Sequence, residues 1–151
     1  IRALGVRLKH AANRGVLAGK RVILVDDSIV RGTTSRKIVQ MVRDAGAAEV
    51  HFRSASPPIK FPDFYGIDIG TLDQLMAAQM TLDEMRKSLD VDSLGFLSIE
   101  GLYWAMGETR NAASPQFTDH CYTGEYPTDL LDYSSDRAAK DFQLSLLAET
   151  T

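Results

Sequence analysis

Two adjacent carboxylates, Asp26 and Asp27, follow directly on four apolar β-formers, Val22, Ile23, Leu24 and Val25. A short apolar run bounded by polar turn residues predicts a fully buried parallel strand. In open α/β sheets, ligands sit in the crevice at the carboxyl ends of such strands. The pair therefore stands where an α/β enzyme keeps its site. The stretch after the pair suits an anion. Residues 28–35 are small and hydroxyl-rich, contain Gly32, and lead into a helix expected to begin near Thr34. Unpaired N–H groups at a helix N-terminus, together with the helix dipole, favour an anion there. Gly32 permits the turn and a close ligand approach. Thr33, Thr34 and Ser35 add hydroxyl donors, Ser28 extends the polar run, and Arg31 could pair with an outlying phosphate. The alternative is a solvated strand–loop–helix connection in which a Ser or Thr merely caps the helix. Carboxylate pair and phosphate cradle together suit a ligand that presents hydroxyls, or a metal, beside a phosphate. A sugar phosphate is one.

The elements that must position these residues read as an alternating α/β chain. After the cradle, Ile38, Met41, Val42 and Ala45 recur at helical spacing and Gly46 closes the helix. Residues 49–55 alternate as a second strand, and a strand–helix–strand unit of this length implies a parallel crossover. His51, inside that strand, reads as structural, because no metal-ligand partner stands near it at a suitable spacing. Pro57, Pro58 and Pro62 make 56–70 a loop at the same sheet edge as the Asp pair. Tyr65 and Asp68 are candidate pocket residues there; the loop reads equally well as a rigid, proline-braced surface turn. Residues 71–79 and 81–89 are expected to form two short helices, the second opened by a capping box, Thr81-Leu-Asp-Glu84. Met76, Met80 and Met85 are expected in the core. Residues 92–98 read as a third strand. Ser98 then caps a helix over 99–106 whose Leu102, Ala105 and Met106 could pack inward, with Trp104 on the other face. From 107 to 126 the chain is polar and irregular, and 134–151 is a mildly apolar tail. Near the start, Val6 and Leu8 alternate with Arg7 and Lys9 as in a short strand.

Composition narrows the function classes. A chain of 151 residues with 44% hydrophobic content is of one-domain length and can support a core. Seventeen Lys and Arg against 20 Asp and Glu leave a net charge of −3, which argues against a nucleic-acid partner. No apolar run approaches the length of a membrane span, and no signal peptide is visible. The single cysteine, Cys121, excludes an internal disulfide framework and suits a reducing compartment, so a cytoplasmic protein is expected.

The stretch Val-Ile-Leu-Val-Asp-Asp-Ser-Ile-Val-Arg-Gly-Thr-Thr resembles the phosphoribosyl pyrophosphate (PRPP) motif of type I phosphoribosyltransferases. Its particular form, Asp-Asp-Ser-Ile-Val-Arg-Gly-Thr-Thr-Ser, is similar to the amidophosphoribosyltransferase family. The likeness continues through Ser56-Pro57-Pro58-Ile59, Phe64-Tyr65-Gly66-Ile67-Asp68, Asp92-Ser93-Leu94 and Cys121-Tyr122-Thr123-Gly124, to about Pro127. It implies an α/β fold, a type I phosphoribosyltransferase-like parallel sheet with flanking helices. Residues 1–20 would then be the end of a flexible basic loop region and 21–106 the C-terminal part of the transferase domain. Residues 107–151 would be an extension. The family's N-terminal glutaminase domain is not in this sequence, which reads as a carboxy-terminal fragment, inactive alone. Arg2, Arg7, Lys9 and Arg14 would belong to a loop that closes over pyrophosphate, or to a solvated basic connector.

The same resemblance implies the chemistry. The family reaction makes 5-phosphoribosylamine from PRPP and glutamine-derived ammonia, the first committed step of purine synthesis. Asp26 and Asp27 would bind the ribose hydroxyls and Mg²⁺, and residues 30–34 would hold the 5′-phosphate. The PRPP-binding set is thus Asp26, Asp27, Ser28, Val30, Arg31, Gly32, Thr33, Thr34 and Ser35. Purine-salvage relatives carry an acidic residue at the position of Val30; an aliphatic one suits ammonia, which has no ring nitrogen to protonate. Purine nucleotides as feedback inhibitors and a homo-oligomer, dimer or tetramer, are further expectations. Some family members hold a [4Fe–4S] cluster on four cysteines. Here only Cys121 is present, with Asp63 and the 115–120 stretch where those relatives have others, so no cluster is expected. A phosphoribosyltransferase that uses a nucleobase, and a PRPP-sensing regulatory module, are the alternatives.

Overall fold

The organising strand forms where the apolar run stands, and period and capping set the elements after it. The computed structural model describes residues 12–111 and 113–130. A short helix α1 (Arg14–Leu17), capped by the Asn13 side chain, precedes strand β1 (Arg21–Asp26). Then come α2 (Thr33–Asp44), β2 (Glu49–Ser54), a 3₁₀ turn (Leu72–Gln74), α3 (Met76–Gln79) and α4 (Leu82–Ser88). Strand β3 (Ser93–Phe96), α5 (Ile99–Ala105) and α6 (His120–Thr123) complete the described chain. The three strands lie in the order β1-β2-β3 and pair in parallel, Asp26 opposite Ser54 and Ser54 opposite Phe96. The fold is α/β, as expected, and the carboxyl ends of all three strands share one edge.

One core holds the sheet to its helices. Val50 and Phe52 of β2 pack with Val39 and Val42 of α2, with Met85 of α4, and with Leu89 and Val91 beyond it. Two caps fix the later helices. Thr81 and Glu84 form the reciprocal capping box at the start of α4, and the Ser98 hydroxyl accepts the Gly101 N–H at the start of α5. The crossover from α2 turns at Gly46, in the left-handed region at φ 90°, where its N–H donates to the Arg43 carbonyl.

Several expectations are corrected. Strand β1 is buried on one side only: Val22 and Leu24 pack against the core, whereas Ile23 and Val25 are 65% and 73% exposed. Helices α2 and α4 lie on the same face of the sheet, and among the described residues the other face of β1 stays open. The helix expected over 71–79 is two pieces, because Leu75 is extended (φ −82°, ψ 113°) between the 3₁₀ turn and α3. Met76 and Met85 are in the core, but Met80 lies at the surface. In α5 the inward residue is Tyr103, while Ala105 and Met106 are exposed; Trp104, whose face the sequence leaves undecided, is exposed. The stretch 107–126 is not wholly irregular, since it contains α6, and both Asp119 and His120 are buried. The alternation at 6–9 and the apolar tail at 134–151 lie outside the described residues.

Candidate functional site

An open cleft of about 400 Å³ lies at the carboxyl edge of the sheet. Its walls are Asp26, Asp27, Ser28, Val30, Arg31, Gly32, Thr33, Thr34, Ser35 and Asp68. All nine residues expected from sequence to hold a sugar phosphate are therefore brought together, and Asp68 joins them from the loop after β2. Tyr65, the other loop candidate, is not in the cleft. Its hydroxyl bonds to Thr128 Oγ1 at 2.8 Å and its ring meets His120 edge-on, with centroids 5.0 Å apart.

The carboxylates are held by their own backbone. Asp26 ends β1, and its carbonyl accepts the Ala55 N–H at 2.9 Å, which extends the ladder past the strand. Asp26 Oδ1 accepts the Asp27 N–H at 3.1 Å, and Asp27 Oδ1 accepts the Ser28 N–H at 2.9 Å. These local bonds stop the strand and orient the pair at the mouth of the cleft.

The anion side is set by Gly32. It is the N-cap of α2 in the left-handed conformation, φ 71°, and no side chain caps the helix. The amides of residues 33–35 thus lack intrahelical partners at the cleft, where the helix dipole also favours negative charge. Gly32 is itself buried, and a Cβ built on it would fall 2.5 Å from Met76 Sδ. A side chain there would have to displace the Met76 thioether as well as adopt the left-handed turn. Arg31 is exposed and forms no ion pair among the described residues; its guanidinium lies along Gly70, whose notional Cβ would be 3.1 Å from Nη2.

No group of three or more His, Cys, Asp or Glu side chains that could hold a metal occurs among the described residues. The cleft is lined by two adjacent carboxylates, Asp26 and Asp27, and by Asp68. That donor set suits a hard cation that keeps waters and takes substrate oxygens, as Mg²⁺ does, and does not form a protein-only cage.

A second polar assembly escaped sequence reasoning. Asp63 and His120 form a buried pair, with Oδ2 and Nε2 2.6 Å apart. Burial pushes the Asp63 carboxyl up, but the Ile67 and Tyr65 amides and the His120 ring outweigh it and hold the group below the ordinary carboxylate range. Asp119 is likewise buried and held low, by Arg110 at 2.6 Å and the Tyr103 hydroxyl at 3.0 Å. Burial pushes the Cys121 thiol up, so it is a poor nucleophile at neutral pH. The only sequence trace of this assembly is the density of aromatic residues in the two segments, Phe61, Phe64 and Tyr65 against Tyr122 and Tyr126.

No protein-family model matches the chain. Curated relatives do. The chain is 61% identical over 150 residues to the amidophosphoribosyltransferase of Rhizobium etli, an alignment covering 98% of this chain and 30% of that protein. It is 50% identical over 130 residues to that of Bacillus subtilis (86% and 27%), and 52% over 129 residues to that of Methanocaldococcus jannaschii (85% and 26%). Among solved structures, glutamine PRPP amidotransferase from B. subtilis complexed with ADP and GMP superposes with a TM-score of 0.72 at 49% identity. It covers 81% of this chain and 26% of that one. A structure of the allosteric regulatory enzyme of purine biosynthesis gives a TM-score of 0.67 at 46% identity, covering 83% and 26%. The chain thus spans less than a third of the length of the relatives it matches.

Proposed function

We propose that this chain serves as part of the phosphoribosyltransferase portion of an amidophosphoribosyltransferase, and that its cleft binds PRPP for attack by ammonia released from glutamine. The observation that carries the reading is the convergence, in one cleft, of the Asp26–Asp27 pair with the uncapped N-terminus of α2 at Gly32. PRPP presents a ribose diol and a 5′-phosphate to match these two sides. Identity of 61% to a relative so named, over nearly the whole chain, supports this substrate over a nucleobase-using transferase.

In this reading the amides of residues 32–35 and the hydroxyls of Thr33, Thr34 and Ser35 bind the 5′-phosphate and fix the ribose. Asp26 and Asp27 accept from the ribose 2′- and 3′-hydroxyls and stabilise positive charge that develops on the ring as the C1–oxygen bond breaks. The same pair would hold Mg²⁺, which when bound supplies charge neutralisation for pyrophosphate. Residues of the basic stretch before β1 would screen that leaving group. Val30, packed on Ile59, Ile69 and Leu75, offers the cleft an aliphatic wall with no proton to exchange, which suits ammonia. Positioning and electrostatics therefore carry the rate. The full protein would also contain a glutaminase, answer to purine nucleotides and work as a homo-oligomer in the cytoplasm; among the described residues no helix is long and apolar enough to cross a membrane.

The deciding experiment follows pyrophosphate release by the full-length protein from PRPP with ammonia, then with adenine, hypoxanthine, orotate or uracil. Ammonia-dependent release and none with the bases is the expected result. Base-dependent release would establish the alternative transferase, and PRPP binding without any release would establish a sensing module.

A further inference from the structure

We infer that Met76 is a positioning residue for the phosphate-facing loop, an inference that rests on the reading of the cleft just given. Helical spacing runs unbroken through 71–79, yet the helix breaks at Leu75. In a continuous α-helix the Met76 N–H would go to the carbonyl of Leu72 four residues back. Here the Leu75 N–H takes that carbonyl at 3.2 Å, and the Met76 N–H donates instead to Val30 O at 2.9 Å. The break thus releases one amide from the helix and gives it to the loop.

The side chain of the same residue meets the same loop. Met76 is 4% exposed, and its Sδ fills the space that a side chain on Gly32 would need. Val30 packs on Leu75 in one apolar cluster, and Ile29 shares the other with Met76. Amide and thioether together hold residues 30 and 32, and Met76 is not among the residues that line the cleft. Gly32 is the N-cap whose height sets where the free amides of α2 point. A thioether is soft and fills irregular gaps, so this contact is sensitive to shape more than to hydrophobicity alone. Met76 touches no substrate in this arrangement; it acts through the loop.

The test compares Met76 with Met85, which is 2% exposed in the same core cluster but is not among the side chains nearest to a Cβ built on Gly32. In the full-length protein, Met76→Ala and Met85→Ala should lower the melting temperature comparably. Met76→Ala should raise KM for PRPP about tenfold or more with a smaller change in kcat, since a loosened cradle loses binding shared by ground and transition states. Met85→Ala should leave KM within about twofold of wild type, and Met76→Leu should recover most of the loss because it nearly conserves volume. Should Met76→Ala fail to fold, Met76→Val against Met85→Val carries the same comparison, because valine keeps part of the bulk but has no δ atom to stand where Sδ sits. Equal KM values in the matched Met76 and Met85 variants would overturn the inference while leaving the cleft assignment standing. A wild-type protein that neither binds nor consumes PRPP would overturn both.

Discussion

Nε2 of His120 lies 2.6 Å from Oδ2 of Asp63, and both side chains are buried, 4% and 1% exposed. Oδ1 of the same carboxylate accepts the N–H groups of Tyr65 and Ile67, each at 2.8 Å. One side chain therefore shapes the loop that leads to Asp68 and ties it to α6. Around it, the amides of Lys60 and Phe61 both donate to the Cys121 carbonyl, and the Tyr126 hydroxyl donates to that of Pro62. Removing one partner of a buried pair leaves the other unsatisfied, so Asp63→Ala is expected to cost about 3 kcal/mol. Asp63→Asn, which keeps an acceptor for the two amides, should cost less. Urea denaturation of the full-length protein measures both, and a loss in Asp63→Ala below about 1 kcal/mol, the scale of one ordinary hydrogen bond, would count against the pair as a fastener.

The pH dependence has a definite sign. Asp63 and Asp119 both titrate below the ordinary carboxylate range when folded, so the folded state binds fewer protons than the unfolded one. The stability they contribute is present above the unfolded value of about 3.9 and is lost as pH falls through the folded values. Melting temperatures taken from about pH 6 down to about pH 3 should fall, and Asp63→Asn should flatten the slope. An identical slope in wild type and variant would rule out Asp63 as a contributor.

For the cleft, Asp26→Asn and Asp27→Asn in the full-length protein are each expected to lower PRPP-dependent turnover about a hundredfold or more, the scale of an interaction lost in the transition state. Glutamine hydrolysis should survive largely intact, since in the proposed reading the glutaminase chemistry belongs to another domain. Near-normal phosphoribosylamine formation in the double variant would remove both residues from the site.

Gly32 carries two demands that one substitution can separate. Its φ of 71° disfavours any L side chain by about 1–2 kcal/mol, and its notional Cβ would meet Met76 Sδ at 2.5 Å. Gly32→Ala is expected to lose both stability and PRPP affinity. Adding Met76→Ala should relieve the clash but not the dihedral strain, so the double variant should be less destabilised than the two single losses added together. Strict additivity, read by denaturation, would mean the thioether does not press on this position.

Cys121 alone cannot support an iron–sulfur cluster of four thiolates. Asp63 is committed to His120. Full-length protein purified without oxygen should be colourless and free of stoichiometric iron. A brown preparation with four irons per subunit would show that other segments supply the ligands.

The local part of this protein was legible in its amino-acid order. Asp26, Asp27 and the cradle from Ser28 to Ser35 are contiguous, and a strand that runs into a Gly-containing helix start presents its end residues together whatever surrounds them. The capping box at Thr81 and Glu84 and the cap at Ser98 were readable for the same reason, since each closes within one turn. Outcomes that period and propensity could not settle were decided by contacts across long separations. Leu75 is extended, against a helical pattern, because the Met76 amide finds Val30 O and two apolar clusters take the side chains of residues 75 and 76. Ile23 and Val25 face outward because α2 and α4 both settle on the opposite face of the sheet. Asp68 enters the cleft while Tyr65 leaves it because Asp63, buried against His120, fixes the loop between them. Those outcomes depend on which surfaces meet, and no local window of sequence contains both partners.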